Sequence, residues 1–285
     1  MTKQQSILGI AGLSAILLLF FFGKTTPEKK ETPKQASEAA HKHEHIQFSD
    51  LLTKAKQRLN PNQLDSLQLL EKQLSTTEAN NKKAAAYFSL ASFWKNSGKI
   101  FEPYVYYFAE GAKLENSEKN LTFAARQFSE SLIIEGDPAM QEWLATNAKD
   151  LYEKALEINP ANDSAKIGLG ACYILGGISD NPMQGILPVK EIADKNPNNT
   201  YAQFILALGG KKSGQYDKAI ERFSKIVALE PQNLEVKLHL AECYELSGNF
   251  KNAIKWYNEV KMSINNEAAK KELDSRIQML KQKGS

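Results

Sequence analysis

The sequence predicts an all-α fold, an α-solenoid of about five helical hairpins with capping helices, and three observations lead there. The stretch Ser213-Gly214-Gln215-Tyr216-Asp217-Lys218-Ala219-Ile220-Glu221-Arg222-Phe223 recurs 34 residues on as Ser247-Gly248-Asn249-Phe250-Lys251-Asn252-Ala253-Ile254-Lys255-Trp256-Tyr257, and self-similarity at such a period marks stacked supersecondary units. Around each glycine, Leu206 and Ala207 (or Leu240 and Ala241) precede, while Tyr216, Ala219 and Phe223 (or Phe250, Ala253 and Tyr257) follow. Offsets of three and four put these residues on one face of each of two helices. The third observation is the punctuation: Pro160, Pro197 and Pro231 each follow an apolar-periodic run, where a proline stops one helix just ahead of the next cap.

The elements follow in order. Residues 1–5 form a short tail, and the run from Gln4 to Gly23 carries no charge. A helix over residues 6–23 spans roughly 27 Å, enough for a hydrocarbon core, so this segment is expected to be a transmembrane signal-anchor. A cleaved signal peptide is the rival reading, against which Phe21 and Gly23 make a poor cleavage site. Residues 24–46 are Lys, Glu, Thr, Pro, Ala and His with almost no apolar bulk, the composition of a disordered linker. Residues 47–81 hold two helices: one opening at Phe48 and capped by Ser49 or Asp50, and one in which Pro61 occupies the first turn ahead of Leu64, Leu67, Leu69, Leu70 and Leu74.

Repeats are expected over 82–265, clearest at 163–199, 200–233 and 234–265, with the turn glycine at Gly98, Gly136, Gly177, Gly214 and Gly248. A glycine there ends each first helix in a left-handed conformation. The spacing exceeds 34 in the earlier units, which implies insertions near Pro103, Pro138 and Pro182. The segment from Gly136 to Ile158 reads as a lengthened second helix. Residues 266–285 supply a terminal helix, amphipathic through Ala269, Leu273, Ile277 and Leu280, that closes the last hairpin.

Leu240, Ala241, Tyr244, Gly248, Phe250, Ala253 and Tyr257, with Pro231 closing the unit before, fall where the signature residues of the tetratricopeptide repeat fall, and the chain resembles that family over roughly residues 82 to 262. The resemblance implies a concave groove lined mainly by first helices that holds another protein or a peptide segment. The family's groove positions fall on Phe88, Ser92 and Lys95, on Ile167, Ala171 and Ile174, on Tyr201, Phe204, Leu208 and Lys211, and on Leu238, Glu242 and Glu245. The competing reading is that Lys211 and Lys212 only pair with Glu242 and Glu245 across adjacent repeats. Basic residues and Asn in the pattern that clamps a free C-terminal carboxylate are not evident, so that kind of ligand is not expected. The aromatic run Tyr104 to Phe108 and the insertion around Pro182 are alternative surfaces for self-association, which would make the protein a structural homo-oligomer.

The chemistry of the chain points away from catalysis. No phosphate loop, nucleophile elbow or HExxH motif occurs, and Gly168-Leu169-Gly170 lies inside a helical pattern rather than after a strand. The function expected is therefore a non-catalytic scaffold or chaperone-like client-binding module, without a cofactor. His41, His43 and His45 are weak metal candidates that lack a four-ligand frame, and metal handling is the remaining alternative. Cys172 and Cys243 occupy the same repeat position two units apart, beyond disulfide reach, and read as small core residues. The formal charge of +3 over 285 residues shows no basic stripe, so nucleic acid is not an expected partner. For the membrane face, lysine counting keeps the repeats in the cytoplasm. The resemblance to anchored repeat proteins of the bacterial inner membrane implies the periplasm, and that side is the expectation.

Overall fold

The computed structural model describes residues 46–284. The expected span 6–23, the linker as far as residue 45 and the candidates His41, His43 and His45 lie outside them. Among the described residues there are thirteen α-helices and no strand: α1 (Phe48–Lys56), α2 (Pro61–Thr76), α3 (Asn80–Phe93), α4 (Phe101–Glu115), α5 (Glu118–Ile134), α6 (Pro138–Ile158), α7 (Asp163–Leu175), α8 (Met183–Lys195), α9 (Thr200–Lys212), α10 (Tyr216–Leu229), α11 (Leu234–Leu246), α12 (Phe250–Ser263) and α13 (Glu267–Lys283). None of them is long and apolar enough to cross a membrane. Helices α3 to α12 pair as five antiparallel hairpins, each packed on the next.

A repeated link sets the spacing of the last hairpins. Asn162, Asn199 and Asn233 each accept a backbone N–H three residues on through Oδ1, at 3.0, 3.0 and 3.1 Å, and so cap α7, α9 and α11. Each also donates its own N–H back to the carbonyl of the residue just past the preceding helix, Asn159, Asn196 or Glu230, at 3.1, 2.9 and 3.0 Å. A proline between these two anchors prevents the preceding helix from running on. Within the last three hairpins Gly177, Gly214 and Gly248 take φ of 67°, 75° and 78°, the left-handed turn expected of them.

The first two hairpins turn differently from that expectation. Helix α3 continues into a π-helical turn, Trp94–Gly98, and the left-handed residue is Lys99, φ 53°, not Gly98. Gly98 serves the buried Trp94 instead, since a Cβ there would lie 2.6 Å from the indole Cε3. At Gly136 the backbone is not left-handed; α5 ends through extended Glu135, whose carboxylate accepts the N–H groups of Gly136 and Asp137 at 2.7 and 2.8 Å. Helix α6 is one continuous 21-residue helix with Pro138 in its first turn and Asp137 as its cap.

At the N-terminal end, Asn60 and Gln63 form a reciprocal capping box, both bonds 3.0 Å, and Pro61 opens α2. Neither Ser49 nor Asp50 caps α1: both lie inside its first turn, and the cap residue Gln47 makes no side-chain bond. Packing decides the start. Phe48 stacks on Tyr106 with ring centroids 3.5 Å apart and meets Tyr107 edge-on at 5.4 Å, a contact that outweighs a cap worth about 1 kcal/mol. Within the run Tyr104 to Phe108, one of the expected surfaces for self-association, Tyr104 and Tyr107 are buried, Tyr106 lies under Phe48 of α1, and Phe108 packs against Phe88 and Phe123.

One core runs from Ala55 to Cys243, and a smaller one of Ala241, Ala253, Tyr257, Ile277 and Leu280 is closed by α13. Glycines permit the closest approaches. A Cβ on Gly168 would lie 2.1 Å from Cζ of Tyr152, and one on Gly185 would lie 2.4 Å from the carbonyl of Gly170. Gly168-Leu169-Gly170 is therefore a helix-packing device in the middle of α7.

Candidate functional site

The first helices of four successive hairpins contribute to one cleft of about 620 Å³, within the range of ~300–1,000 Å³ that ligand sites occupy. Helix α5 gives Thr122, Arg126, Glu130, Ile133 and Ile134, α7 gives Ser164, and α9 gives Thr200, Tyr201 and Phe204. Glu235 and Val236 come from α11, Asn233 from its cap, Ile226 and Glu230 from the end of α10, and Tyr152 from α6. Direct packing of α5 on α7 and of α7 on α9 brings these residues to one side.

The floor is polar but neutral. Tyr152 is buried with its hydroxyl 2.9 Å from Ser129 Oγ. Burial, and then the neighbouring Tyr201, pushes the Tyr152 hydroxyl well above its usual range against the pull of Ser129. Burial likewise raises Tyr201, with Cys172 adding to it. Both phenols stay protonated at any physiological pH and offer hydrogen bonds rather than charge.

The rim is charged and partly apolar. Arg126 Nε donates to Glu130 Oε1 at 2.7 Å, one turn along α5. Asn233 Nδ2 donates to Glu230 Oε2 at 2.9 Å, and this bond, followed by one from Thr200, holds the Glu230 carboxyl below its usual range. Ile134 stands 82% exposed beside half-buried Ile133. Ile133 and Ile134 thus add aliphatic surface to the rim beside the charged pair.

Residues 212–283 match the family model of the tetratricopeptide repeat. Over that stretch the chain is similar to tetratricopeptide repeats. A tetratricopeptide repeat protein from Parabacteroides merdae superposes with a TM-score of 0.55 at 17% identity, covering 82% of this chain and 86% of that one. A thermophilic tetratricopeptide repeat protein of Thermus thermophilus superposes with a TM-score of 0.50 at 16% identity, covering 69% and 98%. In sequence, Superkiller protein 3 of Schizosaccharomyces pombe is 28% identical over 107 residues, 35% of this chain and 8% of that protein. The chain thus spans a small part of that curated relative.

The expected groove residues do not share one environment. Tyr201 and Phe204 line the cleft. Ile167, Ala171, Ile174 and Leu208 do not: they are 1%, 0%, 7% and 7% exposed, the first three on α7, which packs against α5, α6, α8 and α9 at once, and the last on α9. Phe88 lies away from the cleft, over Gly111 and against Phe108, and Lys95 lies over the Tyr104 ring at 5.3 Å. Leu238 packs on the second core.

The charged candidates are engaged internally. Lys211 pairs with Glu242 across adjacent hairpins, and His239 Nδ1 lies 3.2 Å from each of them while its ring stacks on Phe223. Burial works to raise the Glu242 carboxyl, but hydrogen bonds from His239 and Lys211 with their charges overcome it and hold the group at about 2. Lys212 departs from the expected pairing and donates to the Leu175 carbonyl at 2.6 Å. Glu245 accepts from Tyr257 and Arg276, each at 2.9 Å.

The α5 wall was not among the expected groove positions. Its turn glycine, Gly136, stands in a unit whose spacing departs from 34 residues, so its register could not be read from the period. The available signal was local: Ile133 and Ile134 are adjacent, and one face of a helix cannot bury two consecutive residues. Cys172 and Cys243 are buried and free, and burial pushes their thiols up to about 12 and about 11. Among the described residues no group of His, Cys, Asp and Glu is placed to hold a metal.

Proposed function

We propose that this chain is a non-catalytic scaffold whose tetratricopeptide repeats seat a segment of another polypeptide in the cleft between α5, α9 and α11. The observation that carries the reading is that cleft, with 82%-exposed Ile134 at its mouth and hydrogen-bonding phenols at its floor. A groove built on packed helices needs little ordering when it binds, so most of the contact energy is retained as affinity. Residues 6–23, uncharged and long enough to span a bilayer, would hold the module at a bacterial inner membrane with the repeats on the periplasmic side. The linker of residues 24–46 would then give reach and raise local concentration at that surface.

The test is site-specific photocrosslinking in native membranes from Ile134 and from Phe204, with exposed Leu187 on α8 as the control. The same polypeptide adduct from the first two positions and not from the third is expected. Adducts to lipid only, or equal capture at Leu187, would count against a polypeptide-binding cleft. Reporter fusions at the C-terminal end decide the membrane side, and reporter activity confined to the cytoplasm would remove the periplasmic assignment.

A further inference from the structure

The cleft carries one cation against three carboxylates. The cation, Arg126, is already bound to Glu130 on its own helix. Glu230 is hydrogen-bonded by Asn233 and Thr200, neutral donors that keep it ionised, and Glu235 stands exposed in the first turn of α11. Among the described residues neither Glu230 nor Glu235 has a cationic partner. Two uncompensated negative charges thus share a cleft with exposed Ile134 and half-buried Phe204.

We infer that the occupant of this cleft is a polypeptide segment with a Lys or Arg beside an aliphatic or aromatic residue, the cation meeting Glu230 and Glu235 and its apolar neighbour covering Ile134 and Phe204. The inference rests on the polypeptide-binding reading of the same cleft and names the partner's chemistry. Long basic side chains suit such a place because their aliphatic stems lie on apolar surface while their heads stay at the polar edge. Charge works against the other classes of ligand. An acidic segment or a nucleic-acid backbone would bring more negative charge to Glu230 and Glu235, and like-charge contact opposes binding. The neutral phenols of Tyr152 and Tyr201 line the cleft without altering that balance.

The experiment pans a phage-displayed random decapeptide library on the full chain at low salt and measures synthetic peptides from the enriched set by fluorescence anisotropy. Enriched sequences should carry Lys or Arg next to Leu, Ile or Phe. Their affinity should fall about tenfold in Glu230→Gln/Glu235→Gln, as expected for loss of a charge-assisted contact, fall as salt is raised, and disappear in Ile134→Asp. An acidic or uncharged consensus that ignores Glu230→Gln/Glu235→Gln yet is lost in Ile134→Asp overturns the basic occupant and leaves polypeptide binding standing. No enrichment, or binding indifferent to all these changes, overturns both. Dimerisation of the full chain that Ile134→Asp abolishes would assign the cleft to a second copy, and tighter binding of a single-stranded oligonucleotide would assign it to nucleic acid; either overturns the inference.

Discussion

Replacing Gly168 by alanine puts the floor of the cleft under direct test. In an unconstrained helix interior this change stabilises by ~1 kcal/mol, because alanine has the better helix propensity. Here the added Cβ would stand 2.1 Å from Cζ and 2.3 Å from the hydroxyl of Tyr152. Tyr152 is 1% exposed and bonded to Ser129, so the ring cannot yield without cost. Overpacking of this kind costs about 1–3 kcal/mol, and breaking the buried hydroxyl pair costs about 1–3 kcal/mol more. Set against the propensity gain, a net loss of roughly 1–5 kcal/mol is expected. Urea unfolding followed by far-ultraviolet circular dichroism measures it. The open direction for the ring is the cleft it lines, so peptide affinity should fall as well. In Tyr152→Leu the obstructing ring is gone, and adding Gly168→Ala to that variant should cost nothing further, a coupling that a double-mutant cycle resolves. If Gly168→Ala stabilises the protein, or costs the same with and without the tyrosine ring, the close approach of α7 to Tyr152 is not what requires glycine.

Glu242 should give stability an acid edge. Its carboxyl is lowered from 4.5 to about 2 in the folded protein, so its contribution is complete above pH 4.5 and disappears as pH falls from there toward 2. After discounting for partial exposure, Glu242→Gln should lose ~1.5 kcal/mol at pH 7, and the gap from the parent should close between pH 4.5 and 2; parallel profiles in urea melts would exclude the Lys211–Glu242–His239 group as the cause. For Phe48→Ala, loss of a half-buried ring stacked on Tyr106 should cost about 2 kcal/mol. Hydrogen exchange should quicken in α1 and leave α9 to α13 unchanged, as near-neighbour stability in a repeat array requires, whereas uniform quickening would show that α1 holds the whole stack.

The hairpins could be read in the sequence where one residue type has one reason to occupy its place. Gly214 and Gly248 need a left-handed turn, and Asn199 and Asn233 need a cap oxygen three residues before a helical N–H. Those demands repeat with the fold, and so do the letters. Gly98 breaks the pattern because its glycine answers to Trp94 and the turn passes to Lys99. A period cannot distinguish a glycine required by its own backbone from one required by a neighbour's ring.

The cleft was half legible for a related reason. Tyr201 and Phe204 lie on α9, whose register the 34-residue echo fixes, and both reach the cleft. Ile167, Ala171 and Ile174 lie on a helix with equally clear register, yet four packed neighbours close it off. Register says which side of a helix a residue takes; how far the adjacent hairpins stand apart decides whether that side is open. The wall of Arg126, Glu130 and Ile134 lies on 17-residue α5, whose partner in the hairpin is 21-residue α6, and both belong to the unit in which the spacing departs from 34 residues. Shortening α6 by whole turns to the ordinary repeat length should close the cleft while leaving α9 to α13 folded, which ties whatever is particular about this protein's partner to the place where its sequence stops repeating.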